Sequence, residues 1–526
     1  MGRIEGMRAV FLGAVAGSCL ASSAGHWERS AINLPSASSQ FHLLHDFNGD
    51  QRRDVLALSG DRVLIFFQSP SGSFPTDPSF SMAVPGAYPV VTAARLEVTG
   101  RSSLLFLGPS GIIRQPVGEQ GAVLKAGIEI HSGPLDLTTG SRPLLVQLGV
   151  DLDSKGWDDL LLPFQDRLEV LSLDELGQLG LRDAANLPVV TARTASVLPG
   201  VDSLGARYFE AARLASEPAV RLLHLEPRGT NFLTASVTAS LPRTLLVDWD
   251  GSRRLNVVTP ESIWSVNSGG RFEVKRVPGS LQIQWAATAL QNRVRTVANL
   301  ADFNGDGRLD TFRIDTVSNR LSPRTELELY LARTDRTFGN RPDAILRTRD
   351  ISLSAHPALG DMDGDGIPEV CLPHLDFQAS SAASHFRTFL RDGLRGDLRF
   401  YSFDRQRSRF PEAPVAKVPI TVSYEIFGAA QLFRPLYAFH GDFDGDGSPD
   451  LIAKNGAGSL AVFRNRGGKR GFETRPYHTF SVDPLRVADL EVLDLNQDGL
   501  ADVVATVYSA ESQRRIILAF FVSRRP

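Results

Sequence analysis

Acidic residues recur along this 526-residue chain at a spacing that suits a hard cation. Five nine-residue stretches carry oxygen-bearing side chains at positions 1, 3, 5 and 9: DFNGDQRRD (Asp46 to Asp54), DFNGDGRLD (Asp302 to Asp310), DMDGDGIPE (Asp361 to Glu369), DFDGDGSPD (Asp442 to Asp450) and DLNQDGLAD (Asp494 to Asp502). Those side chains, with the backbone carbonyl at position 7, can wrap an ion that takes six to eight oxygens, and Ca²⁺ fits best. Gly at position 4 or 6 lets the chain fold back sharply. The five loops hold 17 carboxylates, and carboxylates packed this closely repel one another unless a cation sits among them. Polar turns at hairpin tips would explain one such loop well and five poorly. An EF-hand is excluded, because its closing Glu falls at position 12 between two helices, whereas here the closing carboxylate is at 9 between apolar β-type runs.

Three further copies are damaged. DLDSKGWDD (Asp151 to Asp159) has Lys155 at the fifth position, where its ammonium could take the cation's place, so no metal is expected there. DWDGSRRLN (Asp248 to Asn256) has lost two carboxylates and is at best a weak site, and LEVTGRSSLLFLG (Leu96 to Gly108) keeps only the apolar flanks.

These loops must be held by a repeating frame. Their starts, near 46, 97, 151, 248, 302, 361, 442 and 494, lie mostly about 50 to 60 residues apart, the length of a four-stranded propeller blade with generous turns. Apolar runs follow the loops (VLAL after Asp54, LIA after Asp450, VVATV after Asp502), and a second run such as RVLIFF or SLAVFR comes next. The unit reads as strand, acidic loop and three more strands. The sequence therefore predicts an all-β chain folded as a single β-propeller of eight blades. Seven or nine are the alternatives, since residues 188–240 have room for another unit. WERSAINL (Trp27 to Leu34) is expected to supply the fourth strand of the last blade and close the ring. Residues 374–414 depart from the repeat and read as an insertion. Within it, SSAASHFRTFLRDGL (Ser380 to Leu394) has helical spacing, and Arg387, Arg391, Arg395, Arg399, Arg405, Arg407 and Arg409 concentrate positive charge that could grip an anionic partner.

With these loops and this spacing the chain resembles the FG-GAP/VCBS repeat family, calcium-loop propellers that include the N-terminal domain of integrin alpha subunits and many exported bacterial proteins. The FG and GAP signatures are poorly matched, with traces in GRFEVK and RGFETR, which weakens transfer of an integrin-like ligand role. The resemblance implies about five Ca²⁺ sites. Their ligands would be Asp46, Asn48, Asp50 and Asp54; Asp302, Asn304, Asp306 and Asp310; Asp361, Asp363, Asp365 and Glu369; Asp442, Asp444, Asp446 and Asp450; and Asp494, Asn496, Asp498 and Asp502.

Residues 1–24 read as a secretory signal, with Arg3 and Arg8 before the apolar run Ala9 to Leu20. The propeller would then occupy residues 25–526, secreted or at the cell surface. Lipid anchoring through Cys19 is the alternative, although the large aliphatic residue of a lipobox is missing. That run of 12 residues is too short to span a membrane, and no other stretch reaches the roughly 18 apolar residues a span requires. Hydrophobic residues at 42% and charged residues at 22% exclude a disordered chain or a coiled coil, and a net charge of −3 gives no reason to expect nucleic acid. With only Cys19 and Cys371 present, no disulfide is expected, and Cys371 in EVCLP reads as a buried, inert thiol. His45 and His440 adjoin acidic loops and read as groups that pack the turns. No HExxH, nucleophile elbow or phosphate-cradling loop occurs. The expected function is a monomeric, calcium-stabilised binding or adhesion scaffold for an extracellular protein or glycan, without catalysis. A calcium-dependent polysaccharide lyase on the same fold is the runner-up.

Overall fold

The computed structural model describes residues 26–524 except 119–126, 133–142, 187–244, 277–287, 318–323, 349–357, 376–393, 510–515 and several stretches of one to five residues. Every regular element among the described residues is a strand, and no helix there is long and apolar enough to cross a membrane.

Each acidic loop, intact or damaged, joins two antiparallel strands of one sheet, the first two in every sheet but the fifth, where Thr288–Leu290 and Arg293–Arg295 come before them. In the first sheet, Ser38–His45 leads through the 46–54 loop into Asp54–Ser59, followed by Arg62–Phe66 and Phe80–Ala83. Seven more sheets of at least four strands follow. Their strands lie over residues 90–132 (second), 149–186 (third), 245–276 (fourth), 288–348 (fifth), 358–422 (sixth), 437–481 (seventh) and 485–524 (eighth). The eight copies read from the sequence thus head eight sheets among the described residues, arranged as in a β-propeller.

The apolar runs behind the loops are buried because each sheet is covered on both faces. Asp450–Lys454 is buried at all five positions, and Ser103–Gly108 at all six. The sheets stack through shared cores. Phe106 of the second sheet packs with Ile65 of the first, Leu160 of the third with Leu105 of the second, and Phe400 of the sixth with Phe463 of the seventh. Leu460 packs with Ala519 across the seventh and eighth sheets, and Phe66 with Phe520 across the first and eighth. Neighbouring first strands touch, as Ala358–Gly360 touches Tyr437–Gly441 and Tyr437–Gly441 touches Leu485–Leu493, so these strands lie nearest the axis. Close approach explains Gly360, where an added Cβ would stand 2.5 Å from Phe439 Cε2.

The strand His26–Leu34 pairs antiparallel with Ile516–Arg524 from His26 opposite Arg524 to Leu34 opposite Ile516. It is the outer strand of the eighth sheet, as WERSAINL was expected to be. Trp27 fixes it there, its ring 4.9 Å from Phe480 and 5.8 Å from His478.

The expected insertion is shorter than 374–414. Leu394–Tyr401 is the third strand of the sixth sheet, paired with Glu369–Leu375 on one side and Ala416–Val422 on the other. Leu398 and Phe400 alternate into the core with period two, which overrides the helical spacing read up to Leu394. The rest of that expected helix, with Arg387 and Arg391, lies outside the described residues, as do the proposed further unit at 188–240 and the signal at 1–24. Arg395 and Arg399 are consequently strand residues. Two additions to the frame had no sequence signal: Leu144–Leu145 joins the second sheet in parallel with Val90–Val91, and Glu425–Phe427 forms a separate hairpin with Ala430–Leu432.

Candidate metal sites

The loops are shaped by their own carboxylates. At position 1, Asp46 accepts the N–H of Gly49 at 2.6 Å and of Gln51 at 2.8 Å. Asp50 at position 5 accepts Arg52 N–H at 2.9 Å. The closing Asp54 accepts Phe47 N–H with one oxygen and Gln68 N–H with the other, both at 2.9 Å. The same bonds recur elsewhere: position 6 donates to position 1 in Gly307 to Asp302, Gly366 to Asp361, Gly447 to Asp442 and Gly499 to Asp494. Position 2 donates to position 9 in Phe303 to Asp310, Met362 to Glu369, Phe443 to Asp450 and Leu495 to Asp502. This fold-back requires left-handed backbone at positions 4 and 6, supplied by glycine at Gly305 and Gly307 but forced on Gln51 at φ 69°.

Two loops gather their acids closely. Oxygens of Asp361, Asp363 and Glu369 lie within 4.8 Å of one another, and so do those of Asp442, Asp444 and Asp450. An all-oxygen set of this kind suits a hard cation. Asp365 and Asp446, at position 5, stand outside these triplets and accept the N–H of Ile367 and Ser448. In the other three intact loops position 3 is Asn, and its amide turns toward the position 5 carboxylate: Asn48 to Asp50 at 2.9 Å, Asn304 to Asp306 at 2.9 Å and Asn496 to Asp498 at 3.2 Å.

Two buried oxygens, Glu369 Oε1 and Asp494 Oδ1, have no hydrogen-bond partner, as a cation-ligating oxygen would lack one. The closing carboxyls are displaced upward chiefly by burial, Asp54, Asp310, Glu369 and Asp450 to about 7 and Asp502 to about 6. Burial also raises Asp363 and Asp444, and the neighbouring Asp365 and Asp446 add to it. A cation among these oxygens would hold them ionised. The residues therefore fit Ca²⁺, most directly at 361–369 and 442–450.

Arginines that sequence reasoning did not single out lie against several loops. Arg52 reaches Asp50 at 2.5 Å, Arg308 pairs with Asp306, and Arg464, stacked 3.6 Å over Tyr477, lies 2.8 Å from Asp444. Arg52 and Arg308 both occupy position 7, the one signal that could have revealed them. The arginines expected to face an anionic partner are partly engaged with the chain's own acids: Arg399 with Asp397, Arg405 with Asp365 and Arg407 with Asp404.

His45 is half-buried between Ser102 Oγ at 3.1 Å and Gln147 Oε1 at 3.0 Å, which ties the first sheet to the segments that flank the second, and burial lowers its pKa. His440 lies 3.2 Å from the Val492 carbonyl. His45 packs against neighbouring turns, as expected, whereas His440 is exposed. Cys371 is fully buried and free, its thiol raised well above the usual range by burial.

Residues 302–372 and 442–505 match the FG-GAP-like repeat. Those two stretches are similar to FG-GAP-like repeats. The matched stretches contain four of the five intact loops, and both of those with converging carboxylates. No curated protein matches the chain in sequence. Similar solved structures include an Agrocybe aegerita lectin described for specific recognition of non-reducing terminal N-acetylglucosamine, at 13% identity and a TM-score of 0.35, over 92% of this chain and 85% of that one. Another is BBS1N in complex with ARL6DN, at 9% identity and a TM-score of 0.33, over 94% of each chain. At that similarity neither bears on ligand or site.

Proposed function

We propose that this chain is an exported, calcium-stabilised β-propeller that serves as a binding scaffold for an extracellular protein or glycan and does no chemistry of its own. The observation that carries the reading is the convergence of Asp361, Asp363 and Glu369, repeated at Asp442, Asp444 and Asp450, inside FG-GAP-like repeats. Ca²⁺ acts on stability here: its loops sit at the tips between paired strands of stacked sheets, so each ion would brace one sheet end. The signal-like residues 1–24 support export, to an environment where millimolar Ca²⁺ would fill such sites. Contacts that choose a partner belong on the loops that decorate this frame.

Calorimetric titration of the full chain tests the metal reading. For a site with a Kd on the order of 0.1 mM, about 1 mM Ca²⁺ adds roughly 1.4 kcal/mol by mass action. Chelation should lower the melting temperature, and an unchanged melt in EDTA would sink the reading. A glycan and secreted-protein array probed with and without Ca²⁺ tests the scaffold role, for which a partner retained only by the loaded protein is the expected result.

A further inference from the structure

The third sheet carries its cation in the chain itself. Its 151–159 loop keeps the intact geometry: Asp151 accepts Lys155 N–H at 3.0 Å and Gly156 N–H at 2.8 Å, and Ser154 and Gly156 are both left-handed, as positions 4 and 6 are elsewhere. Intact loops have arginines against Asp50, Asp306, Asp365 and Asp444, whereas here two side-chain cations share one carboxylate and one of them also reaches the closing acid. Lys155 Nζ lies 2.8 Å from Asp153 Oδ2. Arg182 spans the loop, with Nη2 3.0 Å from Asp153 Oδ2 and Nη1 3.0 and 3.1 Å from the two oxygens of the closing Asp159. All three partners of this bridge are well covered, at 12% exposure for the Arg182 side chain, 5% for Asp153 and 4% for Asp159.

The backbone places Arg182 there by a local device. Along Leu179–Asn186 the pairing runs from Leu181 opposite Leu171 to Asp183 opposite Val170, so Arg182 is the extra residue of a β-bulge. Bulges re-aim a side chain that regular pairing would direct elsewhere. The planar guanidinium then bridges two carboxylates with separate N–H groups, a geometry a lysine cannot reproduce. Burial works to raise Asp153, and Lys155 and Arg182 outweigh it, leaving that carboxyl below its ordinary range.

We propose that Arg182, with Lys155, is a built-in counter-ion that replaces the metal of the third sheet, and that this loop is a divalent-cation site closed by the chain's own charges. The proposal rests on the reading of the intact loops as cation sites. The test compares the full-length parent with the R182S/K155D double variant, which restores a carboxylate at position 5 and removes the bridge. Titration with CaCl₂ should count one ion more per chain in the double variant than in the parent, with a larger Ca²⁺-dependent gain in Tm. An equal count in a variant of parental circular dichroism overturns the proposal. A parent that binds no Ca²⁺ overturns the reading of the intact loops, and the decision on Arg182 then passes to melting in EDTA, as it does when the double variant fails to fold. There Arg182→Ser should lower Tm by several degrees and Arg182→Lys by nearly as much, because one ammonium cannot span both carboxylates. Retention of the parental Tm by either single variant rejects the bridge.

Discussion

Raising the pH in the presence of a chelator should weaken this protein, and adding Ca²⁺ should remove the effect. The five closing carboxyls, Asp54, Asp310, Glu369, Asp450 and Asp502, are raised from 3.8 or 4.5 to about 6 or 7 by burial. A carboxyl whose folded pKa lies above its unfolded value keeps its proton in the folded chain where the unfolded chain has lost it. Stability therefore falls as pH rises through the window from about 4 to 7, and the whole penalty is present above it. A displacement of about three pH units at ~1.4 kcal/mol each sets an upper bound of ~4 kcal/mol per group, and the five groups together reach several kcal/mol. At ~2 cal/mol/K per residue, a chain of this size moves its Tm by ~1 °C per kcal/mol, so the fall between pH 5 and 8 is on the order of 5 to 10 °C. His45 and His478, both lowered by burial, work in the opposite direction below about pH 6.5. Scanning calorimetry in EDTA and in Ca²⁺ at each pH cancels that contribution. A chelated protein whose Tm rises from pH 5 to 8, or whose slope Ca²⁺ leaves unchanged, would refute the argument.

Gln51, held at φ 69° where most of the intact loops have glycine, should gain about 1 kcal/mol on Gln51→Gly, seen as a higher denaturant midpoint at an unchanged slope. Gly360→Ala puts a Cβ 2.5 Å from Phe439 Cε2 and should cost about 1–3 kcal/mol by the same measurement, a loss that a neutral result would disprove. Deleting residues 26–34 strips the outer strand and Trp27 from the eighth sheet, leaving Ile516–Arg524 as an open edge. Size-exclusion chromatography should then show association, and a monomer that melts like the parent would show that the strand is dispensable.

The repeat was legible because most of the sheets repeat the same local instruction: an acid at position 1 that caps the turn, left-handed positions 4 and 6, and an apolar run that only a doubly covered strand can bury. Trp27 to Leu34 could be assigned because the last unit lacks one strand of its own. Less was legible where the deciding partner lies far along the chain. Lys155 set its loop apart from the intact ones by sequence alone, but Arg182 acts from another strand and reaches the loop only through a bulge, which leaves no mark in hydrophobic periodicity. Leu394 to Tyr401 misled for a related reason, since the stretch ahead of it has helical spacing and only pairing on both sides makes residues 394–401 a strand. Asp50, Asp306 and Asp444 stood out as candidate ligands by type, while the pairing of arginines with them was visible only in three dimensions.

The pairing of His26–Leu34 with Ile516–Arg524 also sets an order of events in folding. Apart from the parallel pairing of Leu144–Leu145 with Val90–Val91, seven sheets are built from antiparallel neighbours in chain order, so each can form largely from local hairpins soon after its residues are available. The eighth must wait for a strand made before all the others, which spends the whole interval unpaired. Its partner is within reach only after the intervening sheets have stacked and brought both segments together, when the entropy of joining such distant segments has largely been removed by earlier folding. Completion of the eighth sheet is therefore a late, single step. Because the two segments end side by side, a permuted chain that links them and opens at another hairpin would keep every sheet while moving that late step elsewhere.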